Sequence, residues 1–354
     1  MKKILHNQPY IGEEEIKAVV RTLRSKWLVP NKETGKLEDN VKQFVRRRYA
    51  VATSSGSSAL HLSLLALGIG KDDEVIIPAY VCTALLNAVY YVGAIPVIVD
   101  IEKNGFTIDP PSIRKKINKK TKAIIVPHVL GFPARIDEIK KFKLLIVEDC
   151  AHALGSFYKG KPLGSFGDIS IFSFYATKVI TTGHGGMLVT NNRKYYKIVR
   201  DLIYYDRRKN YKVRYNYQLT DFAAAIGNVQ FKRIDNLFKK RRYIASKYIP
   251  ILEEQKEIEF WPKKEDKNLN HYRFIIKFKD KKIRDSFKLN LAKRGISTVI
   301  PVENYQLLHR YLRLPKKDFP NAEGISNTTL ALPIHPSLTE NEISTITKTL
   351  KLLF

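Results

Sequence analysis

The chain has 354 residues, 44% of them hydrophobic and 27% charged, which suits a large and a smaller packed core and lies far from the composition of a disordered chain. Its 62 Lys and Arg against 34 Asp and Glu give a formal charge of +28. The two cysteines, Cys82 and Cys150, stand in no CxxC or Cys/His spacing, so a Cys-based metal site is excluded and a reducing compartment fits.

In chain order, residues 1–7 begin basic but meet Gln8-Pro9 without an apolar stretch. No signal peptide is expected, and with it a cytoplasmic location. From 49 to 190, short apolar runs alternate with helical patterns, the mark of a mainly parallel sheet covered by helices. The runs are 49–53, 75–77, 96–99, 123–126, 144–147, 169–172 and 187–190, which predicts seven strands. Residues 75–99 carry no charge over more than the length of a membrane-spanning helix. Pro78, Asn87, Gly93 and Pro96 interrupt them, and a strand over 74–77, a helix over 81–91 and a strand over 95–99 account for the segment without a membrane span.

Residues 193–248 carry 16 Lys and Arg against four Asp, with tyrosines interleaved. Such a face could meet an anionic partner, but with no nucleic-acid motif the expectation is solvated helix faces and no nucleic acid. A helical stretch over 219–253 bridges to a break at Trp261-Pro262, after which a small α+β domain is predicted. It would contain strands over 271–278 and 297–300 and helices over 283–293 and 340–353. The expected division is 1–235 for an N-terminal arm with the large domain and 236–354 for the linking helix with the small one.

In parallel sheets, ligands gather where strands end. Ser54-Ser55-Gly56-Ser57-Ser58 follows the first run and opens a helix, so free backbone N–H groups and hydroxyls converge on a point that suits a phosphate. Ser-rich caps are also common without one. The 144–147 run ends in Glu148-Asp149-Cys150-Ala151-His152, which places an acid where only a cation makes it affordable; a helix-capping role is the alternative. The 169–172 run leads through Ser173 to Lys178 and the turn Thr182-Gly183-His184-Gly185-Gly186. A lysine leaving a strand into such a turn is positioned to form an imine with an aldehyde.

In order and spacing these segments resemble the DegT family of nucleotide-sugar aminotransferases. The resemblance extends over Pro9-Tyr10-Ile11-Gly12, the Asp73–Pro78 stretch, Asn216-Tyr217, Ala223 to Gly227 and Phe319 to Glu323. It implies a fold-type I pyridoxal 5'-phosphate (PLP) enzyme, with a seven-stranded, mainly parallel sheet and a small α+β C-terminal domain. The activity implied is transfer of an amino group from an amino acid, L-glutamate foremost, to a keto nucleotide-sugar for polysaccharide or secondary-metabolite synthesis. Carried over by motif, Lys178 is the Schiff-base lysine and Asp149 the partner of the pyridine nitrogen. Ser57, Ser58 and Ser173 would hold the phosphate, His152 would lie near the ring oxygen, and Asn216 would reach the neighbouring subunit's cofactor in a homodimer.

Four positions depart from the family pattern. Cys82 stands where many relatives stack an aromatic ring, Gln218 replaces an arginine, and His184 replaces a glutamate. The segment 304–309 lacks a proline before its histidine. Lys178 argues against the related sugar dehydratases, which commonly carry histidine there, and intact Lys178, Asp149 and Ser173 argue against a non-catalytic binding or sensory homologue.

Overall fold

The computed structural model describes residues 3–263 and 266–354. Seven strands form the main sheet: β1 (Tyr49–Thr53), β2 (Glu74–Pro78), β3 (Ile95–Val99), β4 (Thr121–Pro127), β5 (Leu145–Asp149), β8 (Ile169–Ser173) and β9 (Gly186–Thr190). Between β5 and β8 the chain makes a small hairpin of β6 (Phe157–Tyr158) and β7 (Lys161–Pro162). The sheet order is β1-β9-β8-β5-β4-β2-β3, and β9 alone runs against the others. Each of the seven apolar runs therefore forms one strand of this sheet.

The strands are apolar on both faces because both faces are covered. Ile125 on β4 joins one buried cluster with Val75, Val147 and Ile171, while its neighbours Ile124 and Val126 join another with Ile76 and Ile146. Successive side chains of a strand point to opposite sides, so a sheet between two helical layers must be apolar at every position. Each fully buried Ile or Val contributes about 1.5–3 kcal/mol by leaving water.

A second sheet of three antiparallel strands contains β10 (Glu259–Trp261), β11 (Phe274–Lys277) and β12 (Thr329–Leu332). Helices Lys281–Lys293 and Glu340–Leu353 pack on it around Phe274, Leu291, Ile346 and Leu350. The predicted helix over 340–353 is present with those bounds, but three expectations change. Residues 219–253 form two helices, Asp221–Lys232 and Ile234–Glu253, parted at Arg233, whose φ of −108° and ψ of 18° leave the helical region. The strand expected over 271–278 is confined to Phe274–Lys277, His271 having a φ of 49°. Residues 297–300 make only an isolated bridge, Val299 to Ala331.

No helix among the described residues is long and apolar enough to cross a membrane. The uncharged 75–99 segment is instead β2, the helix Ala84–Tyr91 and β3.

Candidate active site

Because β1, β5 and β8 run the same way, Thr53, Asp149 and Ser173 end at one edge of the sheet. Gly186 opens β9 at that edge, paired with both Thr53 and Ser173. A cavity of about 390 Å³ lies there, and Ser55, Gly56, Ser57, Cys82, Asp149 and Lys178 contribute to its wall together with Ser173, Tyr175 and His184.

The phosphate-like end of the cavity is the start of the helix Gly56–Ala66. Ser55 caps it, its hydroxyl accepting from the Ser58 N–H at 3.0 Å. The Gly56 and Ser57 amides thus remain the leading donors of the first turn, with the helix dipole behind them. Close backbone approach requires two glycines. A Cβ on Gly186 would stand 2.4 Å from the Ser55 carbonyl oxygen, and one on Gly56 would stand 3.0 Å from the Ser173 Cβ. Ser58 points elsewhere: its hydroxyl lies 2.8 Å from that of Ser55 and 3.1 Å from that of Ser54, and it is not part of the cavity wall.

Asp149 and Glu148 lie side by side on β5 and face opposite ways. Asp149 is buried, with one hydrogen bond to its carboxylate among the described residues, from the Ala151 N–H at 2.9 Å to Oδ1. Burial raises its pKa, against the downward pull of that N–H and of the charge on Lys178. Such a carboxylate is short of a cationic donor. Glu148 accepts from His128 Nε2 at 3.1 Å, from the amides of Gly164, Phe166 and Gly167 at 2.6–2.9 Å and from the Ser170 hydroxyl at 2.9 Å. Burial opposes its ionisation, yet these bonds, His128 first, bring it down to about 2. The His128, Glu148 and Cys150 donor atoms lie within 4.8 Å of one another, but the His128 Nδ1 accepts from the Ala134 N–H. The Nε2 therefore carries the proton given to Glu148, and the trio is a hydrogen-bonded core rather than a ligand set.

His152 lies beside the cavity, its ring stacked on that of Tyr272 at 4.5 Å and 16°. Its Nδ1 accepts from the Leu130 N–H at 3.2 Å, and burial, with the charges of Lys178 and Arg273, holds it well below the ordinary histidine range. It is a neutral ring with its proton on Nε2. The Lys178 Nζ lies 5.5 Å from the same Tyr272 ring. Asn216 is exposed and stands apart from the cavity, although the neighbouring Tyr217 carbonyl holds the Ser54 N–H at 2.7 Å. Gln218 donates to the Ile203 carbonyl at 2.9 Å, and His184 meets the Tyr175 ring edge-on at 5.1 Å.

The chain matches the family model described as the DegT/DnrJ/EryC1/StrS aminotransferase family over residues 9–351. It belongs to that family. It is 36% identical to the uncharacterized protein MJ1066 of Methanocaldococcus jannaschii, over 97% of this chain and 96% of that one. Its structure superposes on Spr1654 of Streptococcus pneumoniae, a candidate sugar aminotransferase, in its PMP form with a TM-score of 0.91, at 30% identity and covering 99% of this chain and 97% of that one. It superposes equally, with a TM-score of 0.91, on Helicobacter pylori PseC, an aminotransferase of pseudoaminic acid biosynthesis, at 27% identity with 100% and 99% coverage. The protein is a fold-type I, PLP-dependent aminotransferase, and Spr1654 has been solved in both PLP and PMP forms.

The cavity fits that cofactor by the chemistry of its donors: an amine at Lys178, an electron-rich carboxylate at Asp149, and a glycine-narrowed helix start with serine hydroxyls around it. Tyr272 and Arg273, which stand beside His152, were not anticipated near the site. Their only sequence signal is a cation set inside the alternating apolar run before Phe274.

Proposed function

We propose that this aminotransferase moves an amino group from an amino acid, L-glutamate foremost, to the keto group of a nucleotide-linked sugar, releasing a 2-oxo acid and an amino sugar. The observation carrying this reading is that Lys178 and Asp149, 29 positions apart, face one cavity whose far wall is the start of the helix Gly56–Ala66. Lys178 would hold the aldehyde end of PLP, Asp149 its ring nitrogen, and the Gly56 and Ser57 amides with the Ser57 and Ser173 hydroxyls its phosphate. Ser58 would act through Ser55, which it braces. Bound there, PLP supplies an electron sink and a carrier for the amino group.

The chain's own groups do the rest. Lys178 Nζ takes a proton from the donor's α-carbon and returns it on the other side of the transfer. Asp149 stays ionised against a cation, and His152, neutral and stacked on Tyr272, offers an Nε2 proton to an oxygen without adding charge. Mixing the pyridoxamine-phosphate form with a panel of keto nucleotide-sugars tests the acceptor. Return of the aldehyde absorbance with at least one member is expected; a silent panel rejects this substrate class.

We further propose a cytoplasmic homodimer whose sites are shared, with Asn216 of the partner subunit reaching the phosphate. Exposure of Asn216 outside its own cavity supports this. Lys178→Ala and Asn216→Asp, each inactive alone, should recover up to about a quarter of native activity when refolded together, because random pairing leaves one intact site per hybrid. Hybrid dimers without activity would refute sharing. We propose the domain division at 235/236, near the start of the helix Ile234–Glu253, which passes from large-sheet residues at Leu237 to those of the small sheet at Ile244 and Tyr248.

A further inference from the structure

A second group of charges stands beside Lys178, contributed by the segment that enters β11. The Arg273 guanidinium carbon lies 4.6 Å from the centre of the Tyr272 ring, the ring that Lys178 Nζ approaches to 5.5 Å and on which His152 stacks. Arg273 has one hydrogen bond among the described residues, Nη2 to the Tyr272 hydroxyl at 3.5 Å, and no carboxylate within ion-pair distance. Two other arginines are held by carbonyls, although the buried Arg241 keeps an Nε without a partner among the described residues. Arg241 donates to the carbonyls of His271, Tyr272 and Ile334, and Arg47 to those of Gly164 and Gly167.

Next to Arg273 is a second unmet need. His6 is 7% exposed, and neither ring nitrogen has a hydrogen-bond partner. Burial, then the charges of Arg273 and His335, hold it well below the ordinary range, so the ring is neutral and still has one N–H to give. A guanidinium with no counter-ion and an imidazole with no acceptor among the described residues both lack the same thing, an anionic oxygen. Tyr272 registers the surplus positive field. Burial by itself would raise its phenol, but Arg273, Lys178, a Thr177 hydrogen bond and Arg241 bring it down to about 8.

We propose that Arg273 recognises a carboxylate of the amino donor. The inference rests on the aminotransferase reading of the Lys178 cavity. A planar guanidinium pairs with a carboxylate through two parallel hydrogen bonds, which the single N–H of His6 cannot do. The donor is the right size for this place. Its α-carbon must come to the Lys178 amine, so its carboxylates stay within a few bonds of that atom, whereas the diphosphate of a nucleotide-sugar is separated from the reacting carbon by the sugar ring.

The test compares the native holoenzyme with Arg273→Gln and Arg273→Lys. Glutarate, a dicarboxylate with no amine to react, is titrated calorimetrically. Native protein should bind it, Arg273→Gln should bind it at least ~10-fold more weakly, as expected for loss of a charged hydrogen-bonding partner, and Arg273→Lys should fall between. In rapid-mixing experiments, the half-reaction with glutamate should lose more in Arg273→Gln than the return half-reaction, mainly through KM. If alanine loses as much as glutamate, Arg273 holds the α-carboxylate; if alanine is spared, it holds the distal one. Equal glutarate affinity in native and Arg273→Gln protein, or equal loss in both half-reactions, overturns the proposal. If no amino acid converts the native protein, the aminotransferase reading fails, and the glutarate comparison still decides whether Arg273 binds carboxylates.

Discussion

Glu148 and Asp149 are adjacent on β5, equally sequestered, and have opposite electrostatic lives. On the Glu148 side, five hydrogen bonds from His128, three backbone amides and Ser170 surround the carboxylate, and Arg47 stands 4.0 Å away. On the Asp149 side, one amide serves the carboxylate and the remainder faces a cavity. The first arrangement lowers a pKa and holds loops to the sheet; the second raises one and leaves a charge in want of a cation. A saturated buried acid is part of the fold. An undersupplied one stores electrostatic potential for a ligand, and the fold bears the cost.

The largest expected effect separates the two sides by stability. Glu148→Ala leaves three amides, His128 and Arg47 facing a void and should cost about 3–5 kcal/mol, the range for removing one partner of a buried charge cluster. Chemical denaturation of the cofactor-free variant measures it, and a loss below 1 kcal/mol would erase the contrast. Next, Asp149→Asn should lower kcat on the order of 10²–10³-fold, the usual loss when a preorganised electrostatic contact is removed, while the protein keeps its fold by circular dichroism. Near-native turnover with saturating PLP would show that the carboxylate does not hold the ring nitrogen.

A smaller effect probes the narrow edge between the strands. Gly186→Ala drives a methyl to 2.4 Å from the Ser55 carbonyl, so either β9 or the serine loop must shift. A stability loss of about 1–3 kcal/mol is expected for such overpacking, together with weaker PLP retention on dialysis. Retained stability and cofactor affinity would show that the close approach is dispensable.

The smallest effect reverses the sign of the first. In the cofactor-free protein, Asp149→Asn should raise stability by up to ~1 kcal/mol, because the raised carboxylate opposes folding when ionised and one hydrogen bond is of that size. The two acids also differ in pH dependence. Glu148 is depressed to about 2, so its stabilisation is complete above the unfolded value of about 4.3 and is lost as pH falls from there. Asp149 is raised, so its destabilisation is absent in acid and develops as pH rises through the carboxylate range. Thermal melts of Glu148→Gln and Asp149→Asn against pH should diverge from the native curve in opposite directions.

The seven strands of the main sheet were legible because burial on both faces writes itself into the chain as short apolar runs, each a local signal. Lys178, Asp149, Ser57 and Ser173 could be singled out because each follows such a run, where strand ends collect ligands. Nothing local separates Glu148 from Asp149 except alternation along β5, which says that they face opposite ways but not what waits on each face. The loop at 164–167 that saturates Glu148 and the helix start that opposes Asp149 arrive only when β8 and β1 take their places in the sheet. Ser58 reads like Ser57 in sequence, and only the path of the capping turn commits it to Ser54 and Ser55. Tyr272 and Arg273 lie more than 90 residues beyond Lys178 and look like part of a strand. Sequence periodicity determined the strands of the main sheet, since it records which sides of each are buried. Tertiary packing decided which charges were left unpaired, since pairing depends on distances between segments remote in the chain.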